Sequence, residues 1–516
     1  MDNKQFEAYN FSDELFTKQE NRDFHDKKLE TKPVGYFKDA FRRFCKNKGS
    51  VIAAIIILLL VGFSIVGPLI SNYTTDFNDI NLKCLLPKSN LFQWCGWDGC
   101  ERNNEVSAAD YLEYRAIEQE TGDKIIKNVY GSSEVTTFNG ITKKYYDCYI
   151  DSYTKSVVKF VQLTTEQYQT LQKYQDDHDI QIIYPAVIET DNILTKDNAC
   201  IYYQVNESGT FKNYPVGYTA TSDVNNFTFT NNYIAYDGND GYTSNIRIEE
   251  NGEKLYNYAI KKQGGNWLVR VHYNRYFASK NNGKMPLFLF GSDQYGKDIF
   301  VRLSSGARFS FLFAIAISAI NLIIGAIYGA IEGYYGGAVD MVMERVSDIL
   351  SGVPFMVVVT LFKLHIMNKV GMIPTLLFAF VLTGWIGMAS NTRMQFYRYK
   401  NQEYVLAART LGARDARIMF KHIFPNSLGT LITSCVLVIP GVIFSESSLS
   451  YLGIINLSTG STTSVGTLLA NGQGQLQSFP HIILFPAVFI ALLMISFNLF
   501  GNGLRDAFNP SLRGSE

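Results

Sequence analysis

Apolar residues are distributed along this chain in two ways. Near both ends they form unbroken runs, and between those they occur singly or alternate with polar residues. A helix crossing a hydrocarbon core of about 30 Å needs about 20 largely apolar residues. Residues 51–70 supply that length without a charge, and further runs lie at 309–331, 349–362 (extended by its neighbours), 372–389, 428–449 and 481–503. The 349–362 run is the weakest, because Pro354 lies near its start and Lys363 closes it early. The first run follows Lys38, Arg42, Arg43, Lys46 and Lys48. It starts too far into the chain, is too long and lacks a small-residue cleavage site, so it reads as a retained span and not as a signal peptide. The pattern predicts a polytopic α-helical membrane protein with six spans.

Nothing between residues 72 and 286 is apolar enough to cross a bilayer, and a connection of that length is a domain. Short alternating runs at 179–185, 199–205 and 227–236 predict strands, and residues 107–120 predict a helix. Asp237-Gly238 and Asn251-Gly252 are hairpin-type turn signals. The segment also holds 22 of the 32 Tyr, and strand formation and surface recognition explain that enrichment equally well. The expectation is an inserted α+β domain with more strand than helix. The chain then divides into an N-terminal segment 1–50, a first transmembrane helix 51–70, the insertion 71–285 and an interfacial amphipathic segment 286–306. A five-helix core 307–503, containing a loop at 391–426, and a C-terminal segment 504–516 complete it.

Charge orients these parts. The 47 Lys+Arg and 47 Asp+Glu cancel, so the chain offers no global attraction to nucleic acid. Locally the balance is uneven: residues 391–426 carry seven Lys/Arg, whereas 450–480 carry none. The positive-inside rule therefore places 391–426 and both termini in the cytoplasm and 71–285 outside the cell. The short turn at 333–348 disagrees mildly, because Asp340, Glu344 and Asp348 outnumber Arg345.

Five of the seven Cys (Cys84, Cys95, Cys100, Cys148 and Cys200) fall in the insertion, which suits disulfides in an oxidising compartment. The closely spaced Cys95 and Cys100 are the favoured pair. A zinc site is disfavoured, because no C-x₂-C pair occurs and His178 has no neighbouring His; no metal ligands are assigned. Sequons at Asn72 and Asn226 carry no weight in so Asn-rich a segment. Gly291-Ser-Asp-Gln-Tyr-Gly-Lys-Asp298 nearly fits a phosphate loop, but Asp298 replaces the hydroxyl that would hold magnesium and adds a negative charge there. An amphipathic helix start is the better reading. No catalytic constellation is present: the six His are scattered, and neither H-E-x-x-H nor G-x-S-x-G occurs.

Residues 403–425 are the most informative. From Glu403 to Leu411 the composition favours a helix, Gly412 and Ala413 permit a break, and Asp415 suits the start of a second short helix. Pro425 is expected to stop that helix before the next span. Ala407, Ala408 and Gly412 would let a partner approach closely, and Glu403 suits helix-end electrostatics or a partner contact. Composition alone fits a basic cytoplasmic loop equally well.

The order of residues adds to this. Ala407-Ala408, Gly412 and Pro425 fall at the spacing of the EAA motif of bacterial ABC importer permeases, which the loop resembles; Ala413, Arg417 and His422 lie within it. Phe41-Arg-Arg-Phe-Cys-Lys-Asn-Lys48, the 291–298 stretch, Ser305-Gly-Ala-Arg-Phe-Ser310, Gly333-Tyr-Tyr-Gly-Gly337 and Leu484-Phe-Pro486 resemble the dipeptide/oligopeptide C-type permease subunits. The resemblance covers roughly residues 36–72 and 286–511, and the insertion departs from it. It implies a non-catalytic subunit of the cell membrane that forms half of a translocation pathway and binds no cofactor. A homologous second permease, two cytoplasmic ATPases carrying ATP and Mg²⁺, and an extracellular peptide-binding protein would be its partners. The insertion would receive that binding protein, pack on the second permease, or serve as structure alone. A permease for nickel or another small solute fits the same motifs. A stand-alone secondary transporter needs buried intramembrane charge, for which Glu446 is the one candidate, and a receptor needs an output domain for which the ends are too short.

Overall fold

The computed structural model describes residues 36–136, 140, 142–184, 187–188, 203–205, 211–213, 259–261, 266–457 and 462–508. An amphipathic helix α1 (Tyr36–Lys46) precedes α2 (Lys48–Ile70), whose start is capped by the Asn47 side chain. The long helices α6 (Ile299–Tyr335), α10 (Met372–Tyr399), α13 (Phe424–Tyr451) and α15 (His481–Phe508) pack with α2 around one apolar core. Among the described residues, five helices are long and apolar enough to cross a membrane. A sixth span requires α7 (Gly337–Ser351) and α8 (Phe355–His365) to be taken together, and these bend by 74°. The bend falls at Pro354, which has no N–H to continue the ladder and disfavours helical backbone before it. The weakest predicted span is thus a broken one. The 333–348 turn, in turn, is mostly the helix α7. A single turn α9 (Met367–Val370) leads into α10.

Helix α6 packs on α10 through glycines. A Cβ on Gly325 would lie 2.7 Å from the Trp385 carbonyl, on Gly329 2.1 Å from that of Ala389, and on Gly333 2.8 Å from that of Arg393. The four-residue period places all three on one face, so the two backbones meet directly, the usual device where lipid supplies no hydrophobic drive.

The insertion contains strands and helices, as its sequence pattern predicts. Strands β1 (Cys100–Ser107), β2 (Ile126–Thr136) and β3 (Thr142–Asp151) form an antiparallel sheet in the order β1-β3-β2, covered by α3 (Ala108–Thr121). A second sheet centres on β10 (Trp267–His272), paired with β4 (Val158–Leu163), β5 (Ile183–Tyr184) and β9 (Ala259–Lys261), with α4 (Thr165–His178) packed against it. Strands β6 (Val187–Ile188), β7 (Tyr203–Val205) and β8 (Phe211–Asn213) form a third. The runs predicted at 179–185 and 199–205 contain β5 and β7; the 227–236 run, both hairpin turns and Asn226 lie outside the described residues.

The predicted Cys95–Cys100 disulfide is not formed. Cys95 sits in an exposed turn with its sulfur on the Phe92 carbonyl, whereas Cys100 opens β1 with its sulfur on the Asp98 carbonyl. The left-handed Gly96 and Gly99 between them send the two side chains to different partners. Cys45, Cys84, Cys148 and Cys435 are also free thiols, and Cys200 lies outside the described residues.

The near-phosphate-loop stretch joins the two halves. Asp293 accepts from the backbone N–H of Tyr295 and Lys297, and Arg302, itself buried, pairs with it at 2.5 Å. Ser292 donates to the Leu82 carbonyl and accepts from the Leu85 N–H. Gly296 has φ +72, and a Cβ there would lie 1.7 Å from the Asp79 carbonyl oxygen. Its glycines serve insertion-to-core contact. Residues 299–306, expected as a separate interfacial segment, are instead the first turns of α6; Ile299, Val301 and Leu303 are buried, Leu303 within the core of the long helices.

One pair in the insertion makes its stability depend on pH. His272 caps α5 (Tyr273–Lys280), its Nδ1 accepting the Arg275 N–H, while Nε2 donates to Asp123 at 2.7 Å. Only the neutral ring can do both. Burial lowers the imidazole pKa, and the hydrogen bond with His272 holds the Asp123 carboxyl below its ordinary value. Both folded-state values lie below the unfolded ones, so the stability they contribute is present at neutral pH and is lost as pH falls. For His272 that loss starts as pH drops through about 6.5. Amide exchange in β10 and α5 should accelerate between pH 7 and pH 5.5, and His272→Asn, which keeps a cap but does not titrate, should flatten that dependence.

Candidate coupling loop

Helix α10 ends at Tyr399, where the Lys400 ammonium donates to the Gly333 carbonyl at 2.9 Å. After a short turn the chain enters α11 (Glu403–Thr410), with Glu403 in the first turn, where a carboxylate complements the helix dipole. Gly412 follows at φ +80 with no atom near its absent Cβ, so the left-handed turn, and not crowding, calls for glycine. A turn of helix α12 (Asp415–Arg417) then runs through a π-helical stretch, Ile418–Ile423, into α13.

Pro425 does not stop the second helix. It lies in the first turn of α13, where its missing N–H costs nothing: in the π stretch before it the Phe424 N–H already reaches back to Met419. The second arm of the loop is therefore continuous with a membrane helix.

Val405, Ile418, Met419 and Ile423 are buried against Ala330, Tyr334 and Phe396, which fixes the inner face of the loop to the ends of α6 and α10. A polar latch sits beside them. The Tyr334 hydroxyl donates to Asp415 at 2.6 Å and accepts from Arg409 at 3.4 Å, and the Arg409 guanidinium lies 5.8 Å from the Tyr334 ring centre. On the outer arm, Asn426 donates to the Tyr404 hydroxyl and the His422 carbonyl. The opposite face is open. Glu403, Ala407, Gly412, Arg417 and Pro425 are exposed, Ala408, Ala413 and His422 are half-buried, and Leu411 at the tip is 87% exposed. An apolar tip flanked by small residues on a rigidly held stem is a surface shaped to enter a groove. The Gly333-Tyr-Tyr-Gly-Gly337 stretch assigns Tyr334 no role by resemblance alone; a Tyr at a helix end beside two glycines is the one signal in the sequence.

Glu446, the one buried-acid candidate, is fully buried in α13. It accepts hydrogen bonds from Ser310 of α6, Ser450 and, at 2.7 Å, Ser464 before α14 (Val465–Gly472). Its hydroxyl partners tie three elements together. Replacing Glu446 by Ala should cost about 2–3 kcal/mol, since it strips the shared acceptor from three buried hydroxyls, and Gln should recover part of that; melting of the purified variants checks the order.

The sequence pattern described as "Binding-protein-dependent transport system inner membrane component" matches residues 321–514, and that described as "N-terminal TM domain of oligopeptide transport permease C" matches residues 35–87. The oligopeptide transport system permease protein OppC of Bacillus subtilis is 44% identical over 224 residues, 43% of this chain and 72% of its own length. This chain belongs to the dipeptide/oligopeptide C-type permease family of ABC importers. The dipeptide transport system permease protein DppC of B. subtilis is 40% identical over 225 residues, 43% of this chain and 69% of its own, and OppC of Escherichia coli K12 is 36% identical over 225, 43% and 72%. Membership makes the chain a multi-pass transport component of the bacterial inner membrane. The two matched patterns, 35–87 and 321–514, leave most of the insertion between them.

Proposed function

We propose that this permease is the transmembrane subunit of an ATP-driven peptide importer, forming half of the translocation pathway and taking its power from a cytoplasmic ATPase through residues 403–425. The exposed Leu411 tip on a stem continuous with α13 carries this reading. In it, Ala407, Ala408, Gly412 and Ala413 face a groove on the ATPase, with Glu403, Arg417 and His422 at the rim and Pro425 at the root. Closure of the ATPase dimer on ATP pushes the loop, and α13 conveys the displacement to the pathway. ATP favours one of two permease states through differential contacts, and the loop links the two equilibria.

Both termini lie in the cytoplasm, residues 71–285 face outward, and the boundaries at 50, 70 and 285 divide the chain functionally. A homologous permease completes the pathway, a second ATPase completes the motor, and an external binding protein delivers peptide. ATP and Mg²⁺ bind the motor subunits and not this chain. The three relatives named above are oligopeptide or dipeptide permeases, which supports peptide as the cargo. The tyrosine-rich insertion, seated on the core through Ser292 and Gly296, suits reception of the binding protein. Purified assembly in liposomes should hydrolyse ATP faster when binding protein and peptide are added together. Hydrolysis indifferent to peptide would refute the cargo, and purification without any ATPase would refute the importer.

A further inference from the structure

A second cluster, unused by the coupling loop, lies where α6 turns into α7. Glu332 occupies the last turn of α6, Gly336 reverses the chain at φ +65, and Asp340 and Glu344 stand one helical turn apart on α7. One carboxylate oxygen from each of the three lies within 4.8 Å of the other two. Arg393 of α10 reaches into the group, with Nε 2.6 Å from Asp340 and two further nitrogens at 3.0 Å from Asp340 and 2.8 Å from Glu344. The Tyr397 hydroxyl also donates to Asp340. Every Arg393 nitrogen is thereby directed at Asp340 or Glu344.

Glu332 is left over. It is only 2% exposed, its Oε1 accepts no hydrogen bond, and the nearest cationic atom is Arg393 Nε at 3.7 Å, already committed to Asp340. Lys400 bonds the Gly333 carbonyl and sits 4.1 Å from the Tyr397 ring centre instead of pairing with a carboxylate. Three carboxylates share a single guanidinium, so negative charge exceeds positive in the cluster, and Glu332 has the most distant share of that cation. A buried carboxylate oxygen without a partner is costly, and a cation offsets that cost.

We propose that Glu332, Asp340 and Glu344 hold a hard divalent cation. Carboxylate oxygens alone select a hard, oxygen-preferring ion over zinc or copper. Ligand bonds of about 2.3–2.6 Å allow two oxygens on one ion to stand up to about 5 Å apart, so the observed spread admits an ion of calcium size directly. Mg²⁺, with bonds of about 2.0–2.1 Å, needs the three side chains to draw slightly together. Half-buried Glu344 opens the site to solvent, and waters complete the coordination. The ion pins α6 to α7 at one point, two residues before Tyr334 and beside Arg393 of α10, and so stiffens the base from which the 403–425 loop projects.

The test uses the purified full-length chain in detergent, stripped with chelator and titrated with Mn²⁺ while the free ion is followed by electron paramagnetic resonance. One saturable Mn²⁺ per chain is expected, displaced by Ca²⁺ or Mg²⁺. Glu344→Gln, at a position exposed enough to tolerate it, should weaken binding at least tenfold, and Glu332→Gln should abolish it. Asp348→Asn, an exposed acid on the same helix paired with Arg345, should leave binding unchanged. Absence of a saturable site, which is the result if Glu332 and Glu344 share a proton instead, overturns the proposal. So does equal binding by wild type and Glu344→Gln.

Discussion

Gly412→Asp should abolish uptake while leaving the permease inserted and at normal abundance. Gly412 is exposed, no atom lies near its missing Cβ, and Asp tolerates a left-handed backbone better than most residues. The fold therefore loses about 1 kcal/mol at most. The docking surface fares worse: a side chain and a negative charge appear beside Leu411 at the point of closest approach. Transport of a radiolabelled peptide and stimulation of ATP hydrolysis by binding protein should both fall by more than tenfold. Gly412→Asn, which keeps the backbone preference without the charge, should retain a measurable fraction. Normal uptake by the Asp variant at normal abundance would remove the docking role.

Gly329→Val should have the largest effect on the fold. The new side chain starts 2.1 Å from the Ala389 carbonyl oxygen and 2.9 Å from the Thr392 Cβ, and backbone cannot swing aside as a flexible side chain would. Overpacking typically costs about 1–3 kcal/mol, and a backbone clash at the closest crossing of α6 and α10 belongs at the upper end or beyond. Gly387→Ala serves as the control, since Gly387 lies in α10 at an ordinary helical φ and nothing lies near its Cβ position. The Val variant should melt well below wild type in detergent and accumulate poorly in cells. Equal melting temperatures would show that the two helices do not meet as described.

These two glycines illustrate what the sequence discloses. Gly412 was legible because a lone glycine after a helix-favouring segment marks a C-terminal turn, and its left-handed φ agrees. Gly325, Gly329 and Gly333 carry an equally regular period, yet a four-residue repeat does not name the partner; that only α10 lies across from it depends on tertiary packing. The apolar runs revealed the membrane core because lipid imposes length and composition together. They overstated the third span, where Pro354 breaks a run that hydropathy alone joins. Pro425 misled in the opposite sense: read as a stop, it opens α13, because the π stretch before it releases the hydrogen bond that proline would have broken. The Cys95–Cys100 pairing failed because short spacing says nothing about where two thiols point, and left-handed Gly96 and Gly99 turn them apart. The partners of Tyr334 and of the acids at 332, 340 and 344 were out of reach for a common reason: Asp415 and Arg393 come from segments tens of residues away.

The central claim is that residues 403–425 meet an ATPase beneath the membrane, and a photo-crosslinking amino acid at Leu411 in the full assembly tests it most directly. The account predicts capture of the ATPase subunit from Leu411, with a yield that changes on adding ATP, and no such capture from the exposed Leu91 in the insertion. Capture of the external binding protein from Leu411, or of no ATPase in an assembly that transports, would contradict it.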